Sequence, residues 1–303
     1  MPERAAAPVP RVGILYPGSM GAAIGEMLVR SQVRVSTWVL ERSAASHRRA
    51  TDARIECLSD LETLVASSDL LLSIVPPDAA FAVAGRVAEV LDTLARPAPL
   101  VYADCNAIAP QLSRRIAARV EQAGARYVDA AIIGPPPRSP HDDTTRLYAC
   151  GPAATALAVL HGRGLHIRFI EAPTGAASAL KMSYAALTKG TTAIFVQLLA
   201  AAQANGVLEA LGAEMRLSQP DAWARSEFDL AGLPPRAYRW VGEMLQIADT
   251  FEDAGLDGGV FRGAAAVYET VAALEAEGGI PATREALAAA LVPRPHEASE
   301  EAD

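Results

Sequence analysis

Apolar and polar positions alternate between two periods in the first half of the chain. Short β-branched or apolar runs at 11–16, 33–40, 69–75, 100–104 and 126–132 read as buried strands. Between them, residues 20–30, 78–94 and 110–123 carry apolar positions at helical spacing. Strands alternating with helices of this length predict βαβ units and a largely parallel sheet. Two further runs, 146–150 and 165–170, extend it. After Pro173 the strand signal ends. Residues 174–206 read as one long Ala-rich helix, with Thr174 as N-cap and Gly206 as stop, and helical segments follow at 219–231, 234–253, 259–277 and 282–290.

The expected fold is therefore α/β: a Rossmann-like dinucleotide-binding domain over 11–173, then an all-helical domain over 174–292 for substrate and dimerisation. A leader (1–10) and a tail (293–303), rich in Pro, Ala and Glu, are expected to be disordered. The apolar character of the long helix predicts a homodimer with that helix at the interface.

Composition narrows the partners. A net charge of −8 argues against nucleic acid, which needs clustered Lys and Arg. The Arg48-Arg49 and Arg114-Arg115 pairs read as solvated helix faces. No apolar h-region opens the chain and no run reads as long enough to span a bilayer, so no membrane partner is expected. Cys57, Cys105 and Cys150 are scattered among apolar neighbours, which suggests buried thiols in a reducing cytoplasm, and no spacing resembles a metal site.

The stretch Tyr16-Pro17-Gly18-Ser19-Met20-Gly21 resembles a G-x-G-x-x-G loop with Tyr16 in the first glycine place. Gly18 would let backbone N–H groups approach a pyrophosphate, with Pro17 shaping the turn, and Gly21 and Gly25 would face the sheet. Alone, the loop leaves a cofactor cradle and a plain strand–turn–helix equally open. The second strand should end on the residue that reads the adenosine ribose. Glu41 would accept the 2′-hydroxyl of NAD, whereas Arg42 with Ser43 would hold the 2′-phosphate of NADP. The planar, charged fork of arginine favours NADP, with NAD left possible.

Four landmarks in order resemble the β-hydroxyacid dehydrogenase family, which includes 3-hydroxyisobutyrate dehydrogenases, 6-phosphogluconate dehydrogenases and imine reductases. Its G-x-G-x-M-G loop is matched from Gly18 through Gly21, and its segment over the nicotinamide by Ser73-Ile74-Val75-Pro76-Pro77. Its substrate loop D-A-P-V-S-G-G is echoed by Asp129–Pro135, and its catalytic helix G-x-G-x-x-x-K by Gly175–Lys181. The signature SALKMSYAALTKG resembles a sub-branch of the family that carries no assigned substrate. The resemblance implies a small-molecule substrate, cofactor contacts at Pro17, Gly18, Ser19, Met20, Val75, Pro76 and Asn106, and substrate contacts at Ile133, Gly134 and Arg239. Arg239 would reach the cleft with Glu243 from the helical domain, although the stripe Arg236, Arg239, Glu243 also reads as a solvated face.

The chain departs from the pattern at several places. The family's carboxylate-binding serine is Ile133, Pro135 removes a backbone donor, and Tyr184 and Ala185 replace the polar residues after the lysine. From the helix alone Lys181 reads as a side chain that snorkels to water. The resemblance instead implies that Lys181 gives or takes the proton in hydride transfer, with Tyr184, on the same face, orienting it or sharing the role. Lys189 lies outside the motif and reads as structural. Besides a dehydrogenase or reductase of hydroxy acids and carbonyls, two readings stay open. One is an imine reductase, which the missing serine suits and Lys181 does not. The other is a nucleotide sensor without turnover, suggested by Tyr16, Ile133 and Ala185.

Overall fold

The computed structural model describes residues 9–40, 42–141, 143–279 and 283–292. Most of the expected leader, the expected tail and Glu41 lie outside the described residues. The described chain divides into two compact units, up to Ser183 and from Tyr184 onward.

The first unit is built on an eight-stranded sheet. Its strands are β1 (Val12–Leu15), β2 (Val35–Trp38), β3 (Glu56–Leu58), β4 (Leu70–Ser73), β5 (Val101–Asp104), β6 (Arg126–Ile133), β7 (Arg146–Cys150) and β8 (His166–Phe169). Their order across the sheet is β3-β2-β1-β4-β5-β6-β7-β8. All neighbours run parallel except the antiparallel pair β6 and β7. The first six strands have the doubly wound order in which ligands bind beyond the carboxyl ends of the strands.

Helices α1 (Ser19–Arg30), α2 (Ala44–Asp52), α3 (Leu61–Ser67), α4 (Ala80–Thr93) and α5 (Pro110–Gln122) connect them. Alternation along each strand feeds two cores, one on each face. Val12, Ile14, Leu72, Val128, Ala130 and Ile132 join Ile24 and Leu28 of α1. Leu15, Leu71, Tyr102 and Tyr127 join Val87 of α4 and Ile116 of α5 on the other face.

Several elements have no counterpart in the sequence reading. β3 is three residues long, too short for a period to show. α2 is polar, with one buried residue, and forms because Ser43 caps it by accepting from the Ser46 N–H.

The long helix α6 spans Ala176–Ala204 and ends in a Schellman arrangement. Gly206 takes φ +70, its N–H bonds the Gln203 carbonyl, and the Val207 N–H bonds that of Ala202. The division between units falls inside α6, beyond the boundary expected at residue 173. The cause is that its first two turns are bonded to β6, as described below. Contrary to the sequence reading, α6 is long and apolar enough to cross a membrane by length and composition; half of its most apolar window is buried within the protein.

The second unit continues with α7 (Leu208–Ser218), α8 (Pro220–Ala231), α9 (Ala237–Asp253), α10 (Gly259–Gly278) and α11 (Arg284–Leu291). α7, with one buried residue, was missed because it presents no apolar stripe.

Candidate functional site

The carboxyl ends of β1, β4, β5 and β6 lie on one edge of the sheet and carry the residues singled out above. After β1 the chain turns through Tyr16 at φ +56, and Gly18 caps α1 in extended conformation with no side-chain bond. A Cβ at Gly18 would meet nothing within 4 Å, so the space above the loop is open. Gly21 faces Ile14 at an ordinary 3.4 Å, while Gly25 is pressed onto Ile55 so closely that a Cβ would overlap it at 2.4 Å. Gly25, rather than Gly21, therefore sets the close packing of α1 on its strands. An uncapped helix start with an open glycine in front of it fits a pyrophosphate. Pro17 is buried, Ser19 is exposed and Met20 packs partly against the core.

Beyond β2, Arg42 and Ser43 are exposed. The Arg42 guanidinium lies 4.0 Å from the centre of the Tyr16 ring. The Ser43 hydroxyl already accepts the Ser46 N–H as the cap of α2.

Asn106 follows β5 and is buried. Its Oδ1 accepts the Val75 N–H at 2.6 Å, its amide donates to Ser73 Oγ at 3.0 Å, and its own N–H donates to Asp104 at 3.0 Å. The side chain thus ties the ends of β4 and β5 together and fixes the Val75-Pro76 segment. Burial raises the Asp104 carboxyl to about 7, with the charge of Asp129 adding.

The corner between β6 and α6 is organised by Asp129, which is fully buried. Its Oδ2 accepts the N–H groups of Gly175 (2.8 Å), Ala177 (3.0 Å) and Ser178 (3.2 Å), and its Oδ1 accepts the Ser178 hydroxyl at 2.6 Å. The Cys150 thiol also donates to it, at 3.1 Å; burial, then the neighbouring carboxylate, push that thiol up to about 12. The Ala176 N–H bonds the Pro173 carbonyl. The N–H groups of Gly175, Ala177 and Ser178 are thus held from β6, not by Thr174 as the sequence pattern suggests. The sequence reading quoted Asp129 only as the start of a loop.

Two turns into α6, the Lys181 ammonium donates to the Ile132 carbonyl at 2.5 Å. The apolar helix face and the end of β6 thus meet at a single cation. Ile133 is buried and offers no polar side-chain atom. Gly134 is exposed at φ +124, where a Cβ would collide with the Thr144 carbonyl at 2.1 Å, so this turn requires glycine.

In the second unit Tyr184 is 51% exposed. The stripe expected along α9 is split. Glu243 is largely buried and paired with Lys189, whose ammonium faces the Trp240 ring. Arg239 is exposed beside Tyr238. Lys189, read from sequence as structural, has Glu243 as its partner. Among the described residues no group of three or more His, Cys, Asp or Glu is placed to hold a metal.

Comparison with known proteins agrees with this fold. Residues 11–155 match the NAD binding domain of 6-phosphogluconate dehydrogenase, and residues 202–271 match a domain of unknown function, DUF1932. A 28.5 kDa protein of Methanothermus fervidus is 26% identical over 201 residues, 66% of this chain and 74% of the relative. The 3-hydroxyisobutyrate dehydrogenase of Mycobacterium tuberculosis, solved with L-serine, superposes with a TM-score of 0.68 at 18% identity, covering 94% of this chain and 99% of that one. A reductive aminase from Aspergillus terreus, solved with NADPH and ethyl levulinate, gives 0.54 at 17% identity over 93% and 98%. The chain thus matches that NAD binding domain over residues 11–155 and shares its fold with these dehydrogenase and reductase structures.

Proposed function

We propose that this protein is an NADP(H)-dependent oxidoreductase that transfers hydride between the nicotinamide and a small hydroxy-acid or carbonyl substrate. Lys181 is its proton donor or acceptor. The observation that carries the reading is the Lys181 ammonium fixed on the Ile132 carbonyl, at the carboxyl end of β6, on the edge that also holds the Gly18 loop.

The residues take separate parts. Pro17, Gly18, Ser19 and Met20 form the start of α1 that receives the pyrophosphate, and Arg42 grips the 2′-phosphate. Asn106 holds Val75 and Pro76 as the wall against the cofactor. When bound, the dinucleotide supplies the hydride. Lys181 supplies or removes the proton at the reacting oxygen, and the Ile132 carbonyl sets where that ammonium stands. Tyr184 follows three residues later on the same helix and orients the substrate. Gly134 is a substrate contact in the first unit.

Ile133 favours a second reading. With no hydroxyl at this buried position, a carboxylate loses a donor, which suits reduction of a neutral carbonyl or of a C=N bond.

The exposed apolar face of α6, with Leu187 at 72% and Ile194 at 59%, supports a homodimer. An apolar groove of about 680 Å³ beside it, lined by Ile194, Leu198, Val260 and Val267, gives a second copy of the chain a surface to cover. Cys105 and Cys150 are buried, whereas Cys57, on the short strand β3, is exposed contrary to expectation; free thiols suit a cytoplasmic protein.

The test is oxidation of NADPH with a panel of carbonyls, keto acids and imines. Lys181→Met should keep NADPH affinity and lower turnover by roughly 10²–10⁴-fold, the contribution of a positioned acid or base. Tyr184→Phe should cost less. Full activity in Lys181→Met would transfer the proton to Tyr184, and cofactor binding with no consumption across the panel would make the protein a nucleotide sensor.

A further inference from the structure

Asp104 is a buried acid without a part in the hydride transfer described above. It ends β5, is 1% exposed, and lies in register with Asp129 on β6. The two side chains are held very differently. Asp129 collects the N–H groups and hydroxyl at the start of α6 and the Cys150 thiol. Asp104 has one bond: its Oδ1 accepts the Asn106 N–H at 3.0 Å, while its Oδ2 is enclosed without a partner. A buried carboxylate oxygen that no donor meets is costly, and a protonated carboxyl avoids that cost.

The ionisable groups around it do not relieve this. Tyr102 and Cys105 flank it on β5, and Tyr127 and Asp129 face it from β6, so ionisation adds a second negative charge to the corner. β4 contributes only the neutral Ser73. From α5, Arg114 stands at the other end of the corner, where a Cβ at Gly175 would lie 2.9 Å from its guanidinium. The contacts that favour a charge on Asp104 both come from Asn106, through its N–H and its side-chain amide. That amide also donates to Ser73 Oγ, and the same planar group accepts the Val75 N–H through Oδ1. An ionised Asp104 attracts the amide nitrogen, and turning the planar group toward the carboxylate carries Oδ1 away from Val75.

We propose that Asp104 is a positioning residue for the dinucleotide: in its neutral form it leaves Asn106 on Val75, and in its ionised form it draws Asn106 away, so that cofactor binding is linked to the proton on Asp104. This rests on the reading of Val75 and Pro76 as the wall against the cofactor. Burial chiefly, with the charge of Asp129 adding, raises the carboxyl to about 7. Below that pH the acid is neutral and the wall is in place; above it the wall loosens. Affinity for the cofactor therefore falls as pH rises, and binding takes up protons.

The experiment measures dissociation constants for NADH and NADPH by nicotinamide fluorescence, and proton uptake by calorimetry in buffers of different ionisation enthalpy. NADH is the deciding probe, because the 2′-phosphate of NADPH itself titrates near pH 6. In the unmodified protein the NADH constant should rise by up to about tenfold between about pH 6 and pH 8, as the competent form falls from nearly all to about a tenth. Binding at neutral pH should take up a fraction of a proton. Asp104→Asn puts an amide where the protonated acid stands, and should give an NADH constant that does not vary with pH and no proton uptake. A slope or an uptake that persists in Asp104→Asn overturns the inference, as does a slope seen with NADPH alone. Absence of uptake in the unmodified protein overturns it without any variant. In each of these cases the dinucleotide reading stands. Binding of neither nucleotide would overturn that reading, and this inference with it.

Discussion

Replacing Asp129 by Asn tests whether the corner between β6 and α6 places the lysine. The carboxylate accepts three N–H groups at the start of α6, the Ser178 hydroxyl and the Cys150 thiol. An asparagine of the same shape can leave its oxygen on the three N–H groups and turn its amide toward Ser178, whose hydroxyl can reverse and accept. The bonds then survive in number but lose the charge. Charge-assisted bonds are roughly twice as strong as neutral ones, and a buried negative charge at a helix N-terminus contributes up to about 2 kcal/mol. Relief of the carboxylate's desolvation offsets part of this. The net loss is about 1–3 kcal/mol, which for a unit of this size lowers Tm by roughly 2–4 °C per kcal/mol.

The same change loosens the first turns of α6 and so the distance from Lys181 to the Ile132 carbonyl. Misplacing a catalytic group by about 1 Å can cost on the order of 10²-fold in rate. Asp129→Asn should therefore lower turnover at least tenfold while leaving the dissociation constant for NADPH unchanged, because the cofactor residues lie on other strands. Calorimetry and steady-state kinetics on the same preparation read both effects. A variant with unchanged Tm and unchanged turnover would show that the carboxylate does not hold this corner. Loss of NADPH affinity in parallel with turnover would show general damage to the first unit instead.

Two further outcomes follow from burial. Asp104, raised to about 7 from an ordinary 3.8, keeps its proton in the folded protein where the unfolded chain has lost it. Its contribution to stability is therefore present in full below about pH 4 and declines as pH rises to about 7, by about 1.4 kcal/mol per pKa unit. Asp104→Asn should flatten the dependence of Tm on pH between 4 and 7, and an unchanged slope would exclude Asp104 as its source. Light scattering at micromolar concentration should give twice the chain mass, and Ile194→Glu should shift it toward one chain; a monomeric unmodified protein would leave the α6 face to some other partner.

The parallel sheet was legible in the sequence because buried strands read as apolar runs and their helices keep a 3.6-residue period. β3 and α2 were not, since one is three residues long and the other depends on the Ser43 cap. Gly18, Arg42 and Lys181 were singled out as candidates from sequence, the first two by their places in the loop and after β2, and Lys181 by resemblance to the family's helix motif. Asp129 could not be given its part in this way. Its partners at 175, 177 and 178 are about 46–49 residues away, and no period connects a strand to a helix start.

That failure bears on how the candidate site departs from the pattern it resembles. Motifs capture residues marked by a glycine, a helix start or a place in a local pattern, as at Gly18, Arg42 and Lys181. The residues that motifs miss act through side chains across long sequence separations, and there substitutions can be exchanged for one another. Tyr16 in a glycine place and Ile133 in a serine place are such exchanges, one beside the adenosine end of the loop and one at the end of β6. The backbone frame of the NAD-binding domain is retained around both. Specificity for cofactor and for substrate can therefore have changed at two separate points, with the strand ends that position Lys181 left as they were.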